Sequence, residues 1–184
     1  MKHIVFFLEE ESAKAFLDNF LPRAFPDITF QCIPFEGKQD LEKNIPIKLK
    51  GYRTPNTKFI ILRDEDSGNC IEVKRKLRDL CNASSRTDVL IRIACKELES
   101  WYFGDLKSVE MALNIKSLAQ YSNNKLYREP DNIINPKTEL KKITKKKYNQ
   151  VSSSREIGKH IDFEKNKSKS FQVFIDGIKK IIEN

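Results

Sequence analysis

The chain is short of the residues that build the commonest metal and nucleophile sites. It has two histidines, His3 and His160, and four cysteines, none in a Cys-x-x-Cys pair. That spacing excludes the usual structural zinc sites. Cys32, Cys70, Cys81 and Cys95 are read as reduced, structural residues. No Ser/His/Asp or Cys/His triad can be assembled. Long hydrophobic runs are also missing. The opening "MKHIVFFLEEES" reaches its acids too soon for a signal-peptide core or a membrane span, so a cytoplasmic protein with no membrane partner is expected. There is no internal repeat and no long low-complexity tract.

What the chain does have is charge. Of its 184 residues, 34 are Lys or Arg and 26 are Asp or Glu, a formal +8. Most of that excess falls within residues 137–170. A basic balance points to an anionic partner, either nucleic acid or an acidic protein face.

Apolar runs at "HIVFFL" (3–8), "KFIILR" (58–63) and "DVLIRIAC" (88–95) are nearly continuous, as in parallel strands covered on both faces. "ITFQCIPF" (28–35) alternates and ends near Pro34, which suits an edge strand. Helical spacing separates the runs. Phe16, Leu17, Phe20 and Leu21 follow Ser12, a candidate N-cap; Val73, Leu77 and Leu80 follow Asn69. Pro46 interrupts the pattern over 38–50. "KELESWYFGDLKSVEMALN" reads as a helix or helix–turn–helix broken at Gly104, with Trp101 as a packing residue. The order β-α-β-(α)-β-α-β-α predicts an α/β, Rossmann-like open sheet, mainly parallel and flanked by helices. It would occupy residues 1–120. A basic helical extension, 121–184, would pack on it through Phe171, Phe174, Ile175 and Ile178.

In such sheets the site lies beyond the carboxyl ends of the strands. "EEE" (9–11), "DED" (64–66) and then Glu97 and Glu99 all fall there. Asp64 and Asp66, two apart in extended backbone, would share a face while Glu65 points away. Hard dications prefer carboxylate and water oxygens, so these acids could hold one or two Mg²⁺ or Mn²⁺ ions. Each group also has a plainer reading: Glu9–Glu11 as favourable charge at a helix N-terminus, Asp64–Asp66 as a polar turn, Glu97 and Glu99 as exposed helix acids.

A Glu after the first strand and Asp-x-Asp after a later one resemble the Toprim domain of topoisomerases, primases and related nucleases. More narrowly, "FFLEEESAKAFLDNFLPRAFP", "FIILRDEDSGNC", "ACKELESWYFGD" and "NKSKSFQVFIDGIKK", in that order, resemble a small bacterial Toprim-like family, some of whose members are encoded beside ATPases in phage-defence or mobile loci. The resemblance implies Glu9 as the acid/base or metal-holding glutamate, with Glu10 as the alternative register, and Asp64 and Asp66 as metal ligands. Glu10 stands where many Toprim domains have Gly. Glu97 and Glu99 join the metal set through the "KELESW" likeness.

The expected activity is Mg²⁺-dependent cleavage of DNA or RNA by water, in a defence effector or toxin paired with an ATPase. Lys141, Lys142, Lys145, Lys146 and Lys147 would contact the phosphate backbone. The competing classes are a non-catalytic binding or regulatory subunit and an enzyme acting on small phosphorylated molecules.

Overall fold

A computed structural model describes residues 2–66 and 68–183. Four parallel strands form its sheet: β1 (Lys2–Leu8), β2 (Ile28–Pro34), β3 (Thr57–Asp64) and β4 (Leu90–Ala94), in the order β2-β1-β3-β4. The expected α/β open sheet is therefore what forms. β1 pairs with β2 on one side and β3 on the other, Leu8 lying opposite both Pro34 and Leu62. The chain reverses its direction of winding between β1 and β3, and that is where a doubly wound sheet opens a crevice at its carboxyl edge.

Both faces of β1 are covered, which explains its unbroken apolar run: Ile4 through Leu8 are all 0% exposed. Phe6, Leu8, Ile60 and Leu62 point to one core, Val5, Phe7, Phe59 and Ile61 to the other. The second core is closed by α2 (Lys38–Gly51) and α3 (Cys70–Asn82). α2 continues through Pro46, contrary to the break its sequence suggests. Leu41, Ile45 and Leu49 form one buried stripe along it, and burying them outweighs the one backbone hydrogen bond that proline forfeits. Asn69 caps α3, its side chain accepting from Ile71 N at 2.9 Å and Glu72 N at 3.4 Å.

The first core is closed by α1 (Glu11–Ala24), α4 (Glu99–Phe103), α5 (Leu106–Leu113), α6 (Pro136–Ile143), α7 (Gln150–Gly158) and α8 (Lys169–Glu183). α4 and α5 are separated at Gly104, as the sequence suggests. α7 packs along α1, and α8 brings Phe171, Phe174, Ile175 and Ile178 against the sheet. The close approach of α1 and α7 depends on Gly158, where a Cβ would stand 2.5 Å from the Phe16 carbonyl oxygen. Trp101 is fully buried, its ring beside Phe16, Phe171 and Phe174 and its Nε1 donating to Ser170 Oγ at 2.9 Å. Residues beyond 121 thus supply much of one face of the same core, and they bring side chains to the sheet's carboxyl edge.

Candidate active site

The three acids after β1 take three different positions. Glu9 is the first residue past the strand and is 9% exposed. Its Oε2 accepts from Asp64 N at 3.2 Å and lies 3.7 Å from Arg63 Nε. Burial, and then the charge of Asp66, push its carboxyl up to about 7. Glu10 is the N-cap residue of α1, the place the sequence suggested for Ser12, which lies buried inside the helix. The Glu10 carboxylate is not used for capping. It accepts from Gln150 Nε2 of α7 and from Ser12 Oγ. Glu11 is exposed in the first turn of α1.

The "DED" acids do not continue the strand. β3 ends at Asp64, and the next two residues are stitched to the end of β4: Glu65 N donates to the Ala94 carbonyl at 2.9 Å and Asp66 N to the Lys96 carbonyl at 2.8 Å. Asp66 has φ +56°, so the alternation of an extended chain does not govern where it points. Its charge nevertheless acts on both Glu9 and Asp64, while its Oδ2 pairs with Lys38 Nζ at 3.1 Å. Glu65 turns to Lys96, 3.2 Å from the ammonium nitrogen and accepting from the backbone N–H at 3.1 Å. Ser67 lies outside the described residues.

Asp64 is the centre of the cluster. Burial pushes its carboxyl well above the ordinary carboxylate range, and the charges of Glu99, Glu9, Glu10 and Asp66 add to that in order. Glu99, the first residue of α4, is 1% exposed rather than an exposed helix acid. Its Oε1 accepts from Tyr148 OH at 2.8 Å, while its buried Oε2 has no hydrogen-bond partner. Burial raises its carboxyl to about 7, with Lys137 and the Tyr148 hydroxyl pulling the other way. Glu97 sits at the rim, Oε2 accepting from Lys137 N at 2.8 Å and Oε1 lying 4.0 Å from Lys137 Nζ.

Two cations are built into the site. Arg63 is 7% exposed on the opposite face of β3, its Nη1 held by Glu42 Oε1 at 2.7 Å and its Nε left without a hydrogen bond beside Glu9. Lys137, in the first turn of α6, is half-buried. Burial lowers its ammonium's affinity for the proton, but the charges of Glu99, Glu10, Glu97 and Asp64 prevail and hold it above its ordinary value. Tyr148 and Gln150 reach the site from the same C-terminal region. Nothing local marks Lys137, since it lies 40 positions from Glu97 in sequence and meets it only through the packing of α6 on α4.

The donor set is all oxygen, the chemistry a hard dication takes. A cavity of ≈ 10 Å³, room for one water-sized body, is lined by Glu9, Glu10, Asp64 and their apolar neighbours Ala13, Leu62 and Leu98, with Ser12. A more open cleft of ≈ 340 Å³ is lined by Asp66, Lys96, Glu97, Ile134 and Asn135. As the side chains stand, no group of three or more His, Cys, Asp or Glu among the described residues is set to grasp an ion. Their oxygens are spent on Lys38, Arg63, Lys137, Tyr148 and Gln150. The unpartnered Glu99 Oε2 and the crowded carboxyl of Asp64 are the two groups whose needs those neighbours leave unmet, and both suit a dication.

The five predicted phosphate-contacting lysines lie elsewhere. Lys141 and Lys142 end α6, and Lys145, Lys146 and Lys147 form the turn after it, all exposed. Tyr148 joins the two regions: it borders the lysine groove and its hydroxyl holds Glu99.

Over residues 8–179 the chain belongs to the family described as Domain of unknown function (DUF4276). No curated protein and no solved structure matches it.

Proposed function

We propose that this protein is a Toprim-like, Mg²⁺- or Mn²⁺-dependent nuclease that hydrolyses phosphodiester bonds of DNA or RNA. The observation that carries the reading is Asp64, partly buried at the switch point of a parallel sheet with the charges of Glu99, Glu9, Glu10 and Asp66 around it. Like charges gathered out of water are costly unless a cation or a proton relieves them.

Glu9, Asp64, Asp66 and Glu99 would hold the ion, with Glu97 at the rim. When bound, such an ion activates water and stabilises charge on the phosphoryl oxygens. The chain supplies the rest. Glu9, with its carboxyl at about 7, can take the proton of the attacking water or return one to the leaving oxygen, and Glu10 is the alternative. Arg63 and Asp64 N fix the Glu9 carboxylate in place. The lysines beyond α6 hold the nucleic acid backbone.

The likeness to ATPase-linked members of phage-defence loci supports a cytoplasmic effector or toxin whose cleavage is set by an ATPase partner. Among the described residues no helix is long and apolar enough to cross a membrane. One observation favours a non-catalytic regulatory subunit instead: the acids are mostly engaged by protein partners.

Cleavage of end-labelled DNA and RNA in Mg²⁺ or Mn²⁺, with and without the ATPase, separates the two. The nuclease reading expects Asp64→Asn to lose ~10²–10⁴-fold in rate, the range a positioned acid–base or charge-stabilising group supplies. Equal cleavage by the variant, or binding without cleavage in both proteins with the ATPase present, favours the regulatory subunit.

A further inference from the structure

We infer that α6 and the turn after it form a track for one phosphodiester strand, leading away from the carboxylates with Lys137 at its near end. This rests on the nuclease reading for its direction, and on the lysine geometry alone for the binding itself.

The inner face of α6 is anchored by Pro136, Leu140 and Ile143, all buried. Its outer face carries Thr138, Lys141 and Lys142, all exposed. Thr144 then closes the helix, its hydroxyl donating to the Leu140 carbonyl at 2.7 Å. Lys145 and Lys146 follow with φ +52° and +65°. Two successive left-handed residues that are not glycine or asparagine cost about 1–2 kcal/mol each, and such strain concentrates where a site needs it. A glycine pair would make the turn without strain, so lysine here comes at a backbone cost. The effect of the turn is to fold Lys145 and Lys146 back into one groove of ≈ 790 Å³ with Thr138, Lys141, Lys142 and Tyr148. A second groove of ≈ 570 Å³, also lined by Lys145, adds Lys116 and Lys147.

Of these lysines, Lys142 alone has an acidic partner among the described residues, Glu139 at 3.5 Å. The others present uncompensated charge. The groove offers ammonium groups and aliphatic stems but no stacking surface, because Tyr148 is 4% exposed and its ring lies against Tyr102. It therefore suits a phosphate backbone rather than bases. From Lys137, beside Glu97 and Glu99, to Lys141 is one helical turn, about 6 Å along the axis. Lys145 lies at the helix's far end. That spacing is comparable to the step between consecutive phosphates of an extended strand, so Lys137, Lys141 and the Lys145–Lys146 turn would meet successive phosphates outward from the carboxylates.

The test is binding of a short fluorescent oligonucleotide, single-stranded and as a duplex, by the full chain in EDTA, so that no metal is needed. The proposal expects Lys141→Ala/Lys145→Ala/Lys146→Ala to weaken single-strand binding ~10²-fold. It also expects the slope of log K against log salt to fall by about 2, near 0.7 per phosphate contact removed. The same charge change on α2, Lys43→Ala/Lys48→Ala/Lys50→Ala, should alter binding less than about 3-fold. Equal losses in both triple variants, loss confined to the duplex, or no binding by the wild type at low salt would overturn the track. Selective loss in the first triple, in a protein that binds no divalent ion, would uphold the track and remove the nuclease reading.

Discussion

Asp64→Asn is expected to raise the melting temperature of the metal-free protein at pH 8 by several degrees while slowing the proposed metal-dependent cleavage ~10²–10⁴-fold. The amide keeps the shape of the carboxyl but carries no charge. In the wild type, an ionised Asp64 suffers burial and the repulsion of Glu99, Glu9, Glu10 and Asp66. A protonated one must instead take a proton from solution at pH 8. Either way folding loses free energy that the variant keeps. For a chain of this size each kcal/mol recovered appears as about 2–4 °C. A structural aspartate would behave in the opposite way, because its removal would orphan a donor and lower the melting temperature. Thermal scans in EDTA at pH 8 decide it, and a lower melting temperature in a folded variant would mean that Asp64 is part of the scaffold.

The second large effect is in the pH dependence of stability. Glu9 and Glu99 both bind a proton more tightly in the folded chain than their ordinary 4.5, each with a carboxyl raised to about 7. A raised carboxyl contributes stability that is complete below about 4.5 and is lost as pH rises through about 7. Each group taken singly is worth on the order of 3 kcal/mol over that interval; their coupling to Asp64 makes the pair non-additive. The metal-free protein should therefore resist urea better at pH 5 than at pH 8, the reverse of a protein held by salt-bridged carboxylates. Millimolar Mg²⁺ should restore stability chiefly at pH 8, where the acids are ionised. Glu99→Gln should flatten part of the slope. Stability that is flat or rises from pH 5 to 8 in EDTA would contradict this account of the cluster.

The sheet was legible because its strands are buried on both faces, and unbroken runs such as Ile4–Leu8 have few other uses. Asp64 and Glu9 were legible for a related reason: an apolar run that stops at an acid marks the strand's carboxyl end. Asp66 was placed near the site on the wrong grounds. Period-two alternation applies only while the backbone stays extended, and here it gives way after Asp64 to hydrogen bonds with the β4 end. Glu99 looked no different from Glu97 in "KELESW", yet one is buried and one lies at the rim. Which of them turns inward depends on α4 beginning at Glu99 and on Tyr148 waiting across the core. Lys137 and Gln150 could not be read at all, since they arrive through the packing of α6 on α4 and α7 on α1. The five lysines of the groove were visible as a charge run. The left-handed turn that gathers them was not, because lysine is not a residue whose presence announces positive φ.

The crowded carboxylates are proposed as a divalent-ion site. Calorimetric titration of Mg²⁺ and Mn²⁺ into the wild type and into Asp64→Asn/Asp66→Asn tests that proposal most directly. The wild type should bind the ion, more tightly from pH 6 to pH 8 as Glu9 and Glu99 give up their protons, and a folded double variant should bind none. No binding by the wild type at millimolar ion with nucleic acid present, or equal binding by both proteins, would contradict it.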